Sequence, residues 1–136
     1  MRKITMAFIL SILFMGGHAQ SLTYRVVETK TLNYNSYSEE WVTEDSTYPS
    51  EMYAFFNDKK IKITDAANSS YFIYGNAEKK TMPTYVTSRW NAVDEKQRDC
   101  AIMLQIINPD DKEYRTTILY VIYNKLSFLY IIEPTE

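Results

Sequence analysis

From residue 20 onward, apolar and polar residues alternate with a period of two, and no stretch of ten or more residues carries a helical stripe. Leu22, Tyr24 and Val26 alternate with Thr23 and Arg25; Met52, Ala54 and Phe56 alternate with Tyr53 and Phe55; Ile61 and Ile63 alternate with Lys60, Lys62 and Thr64. Tyr71 to Tyr74 is a short apolar run, and Tyr85 to Val93, Cys100 to Ile107, Tyr114 to Tyr123 and Leu126 to Ile132 complete the set. Between them lie Asn57-Asp58-Lys59, Asp65 to Ser70, Asp94 to Asp99, Asn108 to Glu113 and Asn124-Lys125, all rich in residues that favour turns. This pattern predicts an all-β fold, a small antiparallel sandwich or barrel of about eight short strands, as one domain over 20–136.

Two of these segments are apolar on both faces. Ile118, Tyr120 and Ile122 oppose Leu119, Val121 and Tyr123, and Leu126, Phe128, Tyr130 and Ile132 oppose Leu129 and Ile131. A membrane-spanning β-barrel would alternate apolar outward with polar inward. Strands apolar on both faces instead point to a packed interior or an interface.

Ahead of the strands, Arg2 and Lys3 precede an apolar run from Ile4 to Met15, and Gly17 and Ala19 occupy the −3 and −1 positions of a cut before Gln20. That layout predicts a cleaved signal peptide over 1–19 and a secreted or periplasmic product. The apolar run, about 18 Å long as a helix, is short against roughly 30 Å of hydrocarbon, and no cysteine stands at the cut to take a lipid. Cleavage would leave 117 of 136 residues and move the formal charge from −2 to −4 through loss of Arg2 and Lys3. A mildly acidic domain without a basic cluster argues against nucleic acid and anionic membrane surfaces as partners.

The lone histidine, His18, falls within the leader, so the exported chain would have no imidazole. That removes Ser-His-Asp and Cys-His nucleophilic pairs and the His-based metal sites, and no cofactor is expected. Gly75 is the only glycine after residue 17, too few for a phosphate-cradling loop. Cys100, the sole cysteine, shares a strand face with Ile102, Leu104 and Ile106 and reads as a buried, inert thiol. The carboxylate pairs Glu39/Glu40, Glu44/Asp45, Asp94/Glu95 and Asp110/Asp111 all fall at loops or strand ends and read as solvated surface charge. Asn108 to Glu113 lacks the mid-loop glycine of a calcium loop and reads as a turn. Asn68-Ser69-Ser70 matches the N-glycosylation triplet, relevant only on a eukaryotic secretory route.

One segment stands out. Tyr34 to Tyr48 is polar and acidic, yet it holds Tyr34, Tyr37, Trp41 and Tyr48, the amphipathic rings typical of contact surfaces. Its alternative reading is an edge strand centred on Glu40 to Thr43 with the aromatics folded onto the core.

Ile61-Lys62-Ile63, the Tyr71 to Tyr74 strand, Trp90-Asn91-Ala92-Val93-Asp94, the cysteine opening the next strand and the hairpin turning at Asn124-Lys125 together resemble small exported bacterial all-β proteins of unassigned function. The resemblance spans about residues 60–132 and implies export and an all-β fold, with no functional residue to transfer. The turn before the cysteine departs from that group, carrying Glu95 to Asp99 where a glycine is common. The functional expectation is a non-enzymatic binding domain meeting a protein or glycan through its tyrosine-rich surface. The alternatives are a lipocalin-like barrel holding an apolar ligand, though the Gly-x-Trp opening of such chains is missing, and, more remotely, a carboxylate-only glycan-active enzyme.

Overall fold

The structure, a computed structural model, describes residues 21–57, 59–64 and 68–135; the leader expected over 1–19 lies outside them. Nine antiparallel strands follow one another in the chain: β1 (Ser21–Asn35), β2 (Glu40–Thr47), β3 (Tyr53–Asn57), β4 (Lys60–Thr64), β5 (Ser69–Thr81), β6 (Tyr85–Asp94), β7 (Asp99–Ile107), β8 (Thr116–Ile122) and β9 (Leu126–Pro134). They form one sheet in the order β2-β1-β3-β4-β5-β6-β7-β8-β9, and β1 also pairs with β9. That last pairing closes eight strands into a barrel and settles the choice between barrel and sandwich. β2 is the ninth strand, outside the ring.

The arrangement depends on the length of β1. Its first residues, Ser21 to Arg25, pair with β3, and its last, Thr29 to Asn35, pair on the same edge with β2. Its other edge runs along β9 from Tyr24 to Asn33. Val27 is an extra residue there, since Val26 faces Ile132 and Glu28 faces Ile131. A bulge of this kind bends a strand and increases its twist. It falls just past the span of β1 that pairs with β3, and from Thr29 onward the same edge pairs with β2 while the other stays on β9.

Eight strands enclose a space that side chains can fill. Rows across the barrel alternate large and small: Tyr24 lies opposite Ala54, which lies opposite Ile63, and Ile73 lies opposite Ala92, which lies opposite Cys100. The small residues leave room for Trp90, Phe56 and Tyr24, all buried, with Tyr24 and Phe56 in edge-to-face contact at 5.3 Å. Fully burying a side chain such as Phe56 contributes about 1.5–3 kcal/mol relative to its exposure. Burial of Tyr24 and Tyr71 pushes both phenols up to about 12.

The double-sided apolar character of β8 and β9 is also explained. Leu119 and Val121 point inward and are fully buried, while Ile118 lies on the opposite face and is buried as well. Ile118 is flanked there by Gln105 of β7 and Ile131 of β9. No helix among the described residues is long and apolar enough to cross a membrane.

Two extents differ from the sequence-based expectation. β1 runs well past Val26, and β5 continues beyond Tyr74 to Thr81. In both, burial ends before the pairing does, so the alternation that marks a half-buried strand fades while the strand continues. β5 crosses this point through a bulge at Gly75-Asn76-Ala77, with Gly75 at φ 79°, a conformation glycine adopts without steric cost.

Candidate contact surface

The β1–β2 hairpin carries the aromatic segment. Its turn, Ser36 to Glu39, is shaped by Asn35, whose Oδ1 accepts hydrogen bonds from the backbone N–H groups of Tyr37 (2.8 Å) and Ser38 (3.2 Å). Such local side-chain capping is the reason Asn favours turns. Glu39 completes the reversal with φ 55°. Pairing then sets Tyr34 opposite Trp41, their rings edge-to-face with centroids 5.6 Å apart.

Every residue of β2 is exposed. Trp41 is 42% exposed and Val42 45%. The strand expected around Glu40 to Thr43 is therefore present, but its tryptophan lies outside the barrel core. Tyr34 is half-buried, Tyr37 is fully exposed at the tip of the turn, and Tyr48 projects beyond the end of β2.

Two depressions flank the hairpin. On the outer wall of the barrel, a groove of about 390 Å³ runs from Trp41 and Leu32 across Ile122, Tyr120 and Met103 to Arg89. Its floor is the outward apolar face of β7 and β8, and the Tyr120 hydroxyl donates to Gln105 Oε1 at 2.9 Å. On the other face of the hairpin, a shallower depression of about 430 Å³ is lined by Asn33, Tyr34, Asn35, Tyr37, Val42 and Glu44. The structure thus brings Trp41, Tyr34 and Tyr37 to the two sides of one hairpin, while Tyr48 lines neither depression. Leu32, Met103, Tyr120 and Arg89 were missed in the sequence. The signal available was the apolar outward face of β8, with no indication of what would stand beside it.

A second cluster corrects the reading of Asp94 as solvated surface charge. Asp94 is fully buried at the end of β6. Its Oδ1 accepts from the backbone N–H groups of Lys96 and Arg98 (both 2.9 Å), and its Oδ2 accepts from Arg98 Nε (2.7 Å) and the Tyr123 hydroxyl (2.7 Å). Arg98 also lies over the Tyr123 ring at 5.3 Å. Burial alone would raise the Asp94 pKa; the donors from Arg98, Tyr123 and Lys96 outweigh it and hold the carboxyl at about 2. Burial first, then the bond to Asp94, pushes the Tyr123 phenol up. A carboxylate ionised and saturated with donors is a structural tie, closing the Asp94 to Asp99 turn against the β8–β9 end of the barrel.

Cys100, next to this cluster, is half-buried rather than fully buried, and packs against the core. Burial, reinforced by Asp94 and Asp99 and opposed by Arg98, raises its thiol to about 11. Such a thiol stays protonated at neutral pH and is a poor nucleophile. The Asn108 to Glu113 run forms the turn expected of it, with Asp111 Oδ1 accepting from Glu113 N (3.0 Å) and Tyr114 N (3.3 Å). Among the described residues no cluster of three or more His, Cys, Asp or Glu could hold a metal ion.

The site and fold define a class: a closed eight-stranded antiparallel barrel with an extra hairpin strand and an aromatic groove on its outer wall. No family model matches the chain, and no curated protein or solved structure is significantly similar to it. The functional reading accordingly stands on the geometry.

Proposed function

We propose that the chain is an exported, non-enzymatic binding domain that meets a protein or a glycan through the β1–β2 hairpin and the groove beside it. One observation carries this reading: Trp41 stands 42% exposed at the rim of an apolar groove, held in place by Tyr34. Tryptophan concentrates binding energy when a partner covers it, because its large ring is rigid and has one polar handle. The test is recovery of partners by the tagged mature chain and by its Trp41→Ala variant. Binding should fall by more than about 2 kcal/mol, the scale of an interface hot spot. Undiminished capture by the variant would refute this surface as the contact.

A second reading is favoured by the closure of eight strands, the architecture that also serves barrels holding one small apolar ligand. Mass spectrometry of an organic extract of the purified chain tests it. A stoichiometric apolar molecule would favour the carrier reading over the surface reading.

A further inference from the structure

β2 is the end of the sheet. It pairs with β1 along one edge, and none of the strands pairs with its other edge among the described residues. Eight residues at about 3.3 Å each expose roughly 26 Å of edge. A free edge presents unpaired N–H and C=O groups and is a template for another strand. Edges that stay unused are blunted by charged side chains, proline or bulges; β2 has no lysine or proline, and its charges are all acidic, so they repel an acidic strand and attract a basic one.

Its two faces differ in chemistry. Pairing sets Trp41 opposite Tyr34 and Thr43 opposite Leu32, and of these Trp41 and Leu32 line the groove. Glu40, Val42 and Asp45 stand opposite Asn35, Asn33 and Thr31 on the other side, and Glu44 is the extra residue of a bulge between Thr43 and Asp45. Glu44 lines the depression on that second side. The charge is one-signed: residues 31–51 contain Glu39, Glu40, Glu44, Asp45 and Glu51 and no lysine or arginine. Of the cations near the hairpin, Lys30 is 3.8 Å from Glu28, Arg89 lines the far end of the groove, and Lys125 runs beside β1, its carbonyl accepting from Tyr34 N (3.1 Å).

From this we infer that the free edge of β2 takes up an extended peptide as an added strand, and that the peptide alternates lysine or arginine with apolar residues. Basic side chains on one face of such a strand meet Glu40, Glu44 and Asp45, while apolar ones on the other lie beside Trp41. A second copy of the chain is a poor occupant, because pairing β2 with β2 opposes these acids to one another, and like charges across strands are destabilising. The inference rests on the proposed contact surface and specifies the partner chemistry that surface selects.

The test uses the mature chain and an eight-residue capped peptide alternating lysine and valine. Three controls accompany it: the peptide with glutamate for lysine, and two versions N-methylated at alternate residues, one in each frame, so that each in turn loses the donors of one edge. Binding is followed by calorimetry and by backbone amide shifts. The lysine–valine peptide should bind and shift the amides of residues 40–47, and added salt should weaken it. The glutamate peptide, at least one N-methylated version and the Glu44→Lys/Asp45→Lys chain should each bind at least about tenfold more weakly. No binding at about 1 mM peptide would overturn the inference. Binding indifferent to both N-methylations would also overturn it, since charge contact alone would then be operating. So would sedimentation showing that the chain associates with itself through residues 40–47. If the peptide fails while partner capture still depends on Trp41, the edge inference falls and the surface reading stands.

Discussion

Asp94 provides the sharpest test of how the barrel is held together. Replacing it with alanine removes four hydrogen bonds at once, leaving two turn N–H groups and the Tyr123 hydroxyl without their acceptor. The Arg98 bond adds little by itself, because its side chain is 59% exposed and regains water when released. A net bond between neutral and charged groups contributes about 1 kcal/mol or somewhat more, and a buried donor left unpaired costs about 1–3 kcal/mol. Asp94→Ala should therefore cost about 3–4 kcal/mol. Asp94→Asn can keep one oxygen toward Lys96 and Arg98, but its amide then faces Arg98 Nε and Tyr123, so a loss of about 2 kcal/mol follows. The pH dependence has a definite sign. The folded carboxyl, at about 2, lies below its ordinary value of 3.8. Asp94 thus adds stability that is fully present above about pH 4 and is lost as pH falls through 2. Urea unfolding followed by tryptophan fluorescence, for wild type and both variants between pH 2 and 7, measures all of this. The gap between wild type and Asp94→Ala should narrow as pH drops from 4 to 2. A gap below about 1 kcal/mol at pH 7, or one independent of pH, would refute the assignment of Asp94 as a structural tie.

Three further outcomes are expected. Trp41→Ala should shift unfolding stability by no more than about 0.5–1 kcal/mol, because the ring is 42% exposed and outside the core; a loss of about 3–5 kcal/mol in a denaturant titration would make it a core residue. Cys100 in the folded chain should react with a maleimide at least about tenfold more slowly at pH 7 than in denaturant, speeding up only as pH approaches its raised value of about 11; fast native labelling would contradict its half-buried, thiol-raising setting. The exported chain should begin at Gln20, and an intact mass that still includes Met1 to Ala19 would rule out the leader.

The strands legible in the sequence are those with one face on the barrel interior. Ile61 and Ile63 against Lys60 and Lys62 is the clearest case, because β4 has a fully buried face and a solvated one. Legibility failed where pairing continues without burial. β2 has no buried position, so it has no hydrophobic period, and only Trp41 and Val42 suggested a strand there. The Gly75 to Thr81 extension of β5 is equally silent, since its residues are exposed apart from Ala77, which is half-buried. Asp94 was misread for a related reason. A carboxylate beside a polar turn is usually solvated, and nothing local shows that Tyr123, 29 residues later, brings a hydroxyl to it.

The choice of barrel over sandwich was hidden because closure is a property of one strand pair remote in sequence. β1 and β9 lie at opposite ends of the described chain, and their pairing runs from Tyr24 with Pro134 to Asn33 with Leu126. Neither strand's composition specifies that partner; the double-sided apolar character of β9 showed only that both of its faces would be covered. Closure also explains the candidate surface. Once β9 occupies one edge of β1 and β3 occupies the first five residues of the other, the remainder of that second edge is open to β2 alone. β2 adds to the part of that edge which β3 leaves unpaired, so it can carry exposed aromatics and acids without disturbing the core. A barrel stave carrying Trp41, Glu44 and Asp45 in the same pattern would have to bury one set or the other. Placing them on a ninth strand leaves both faces and one edge open to a partner.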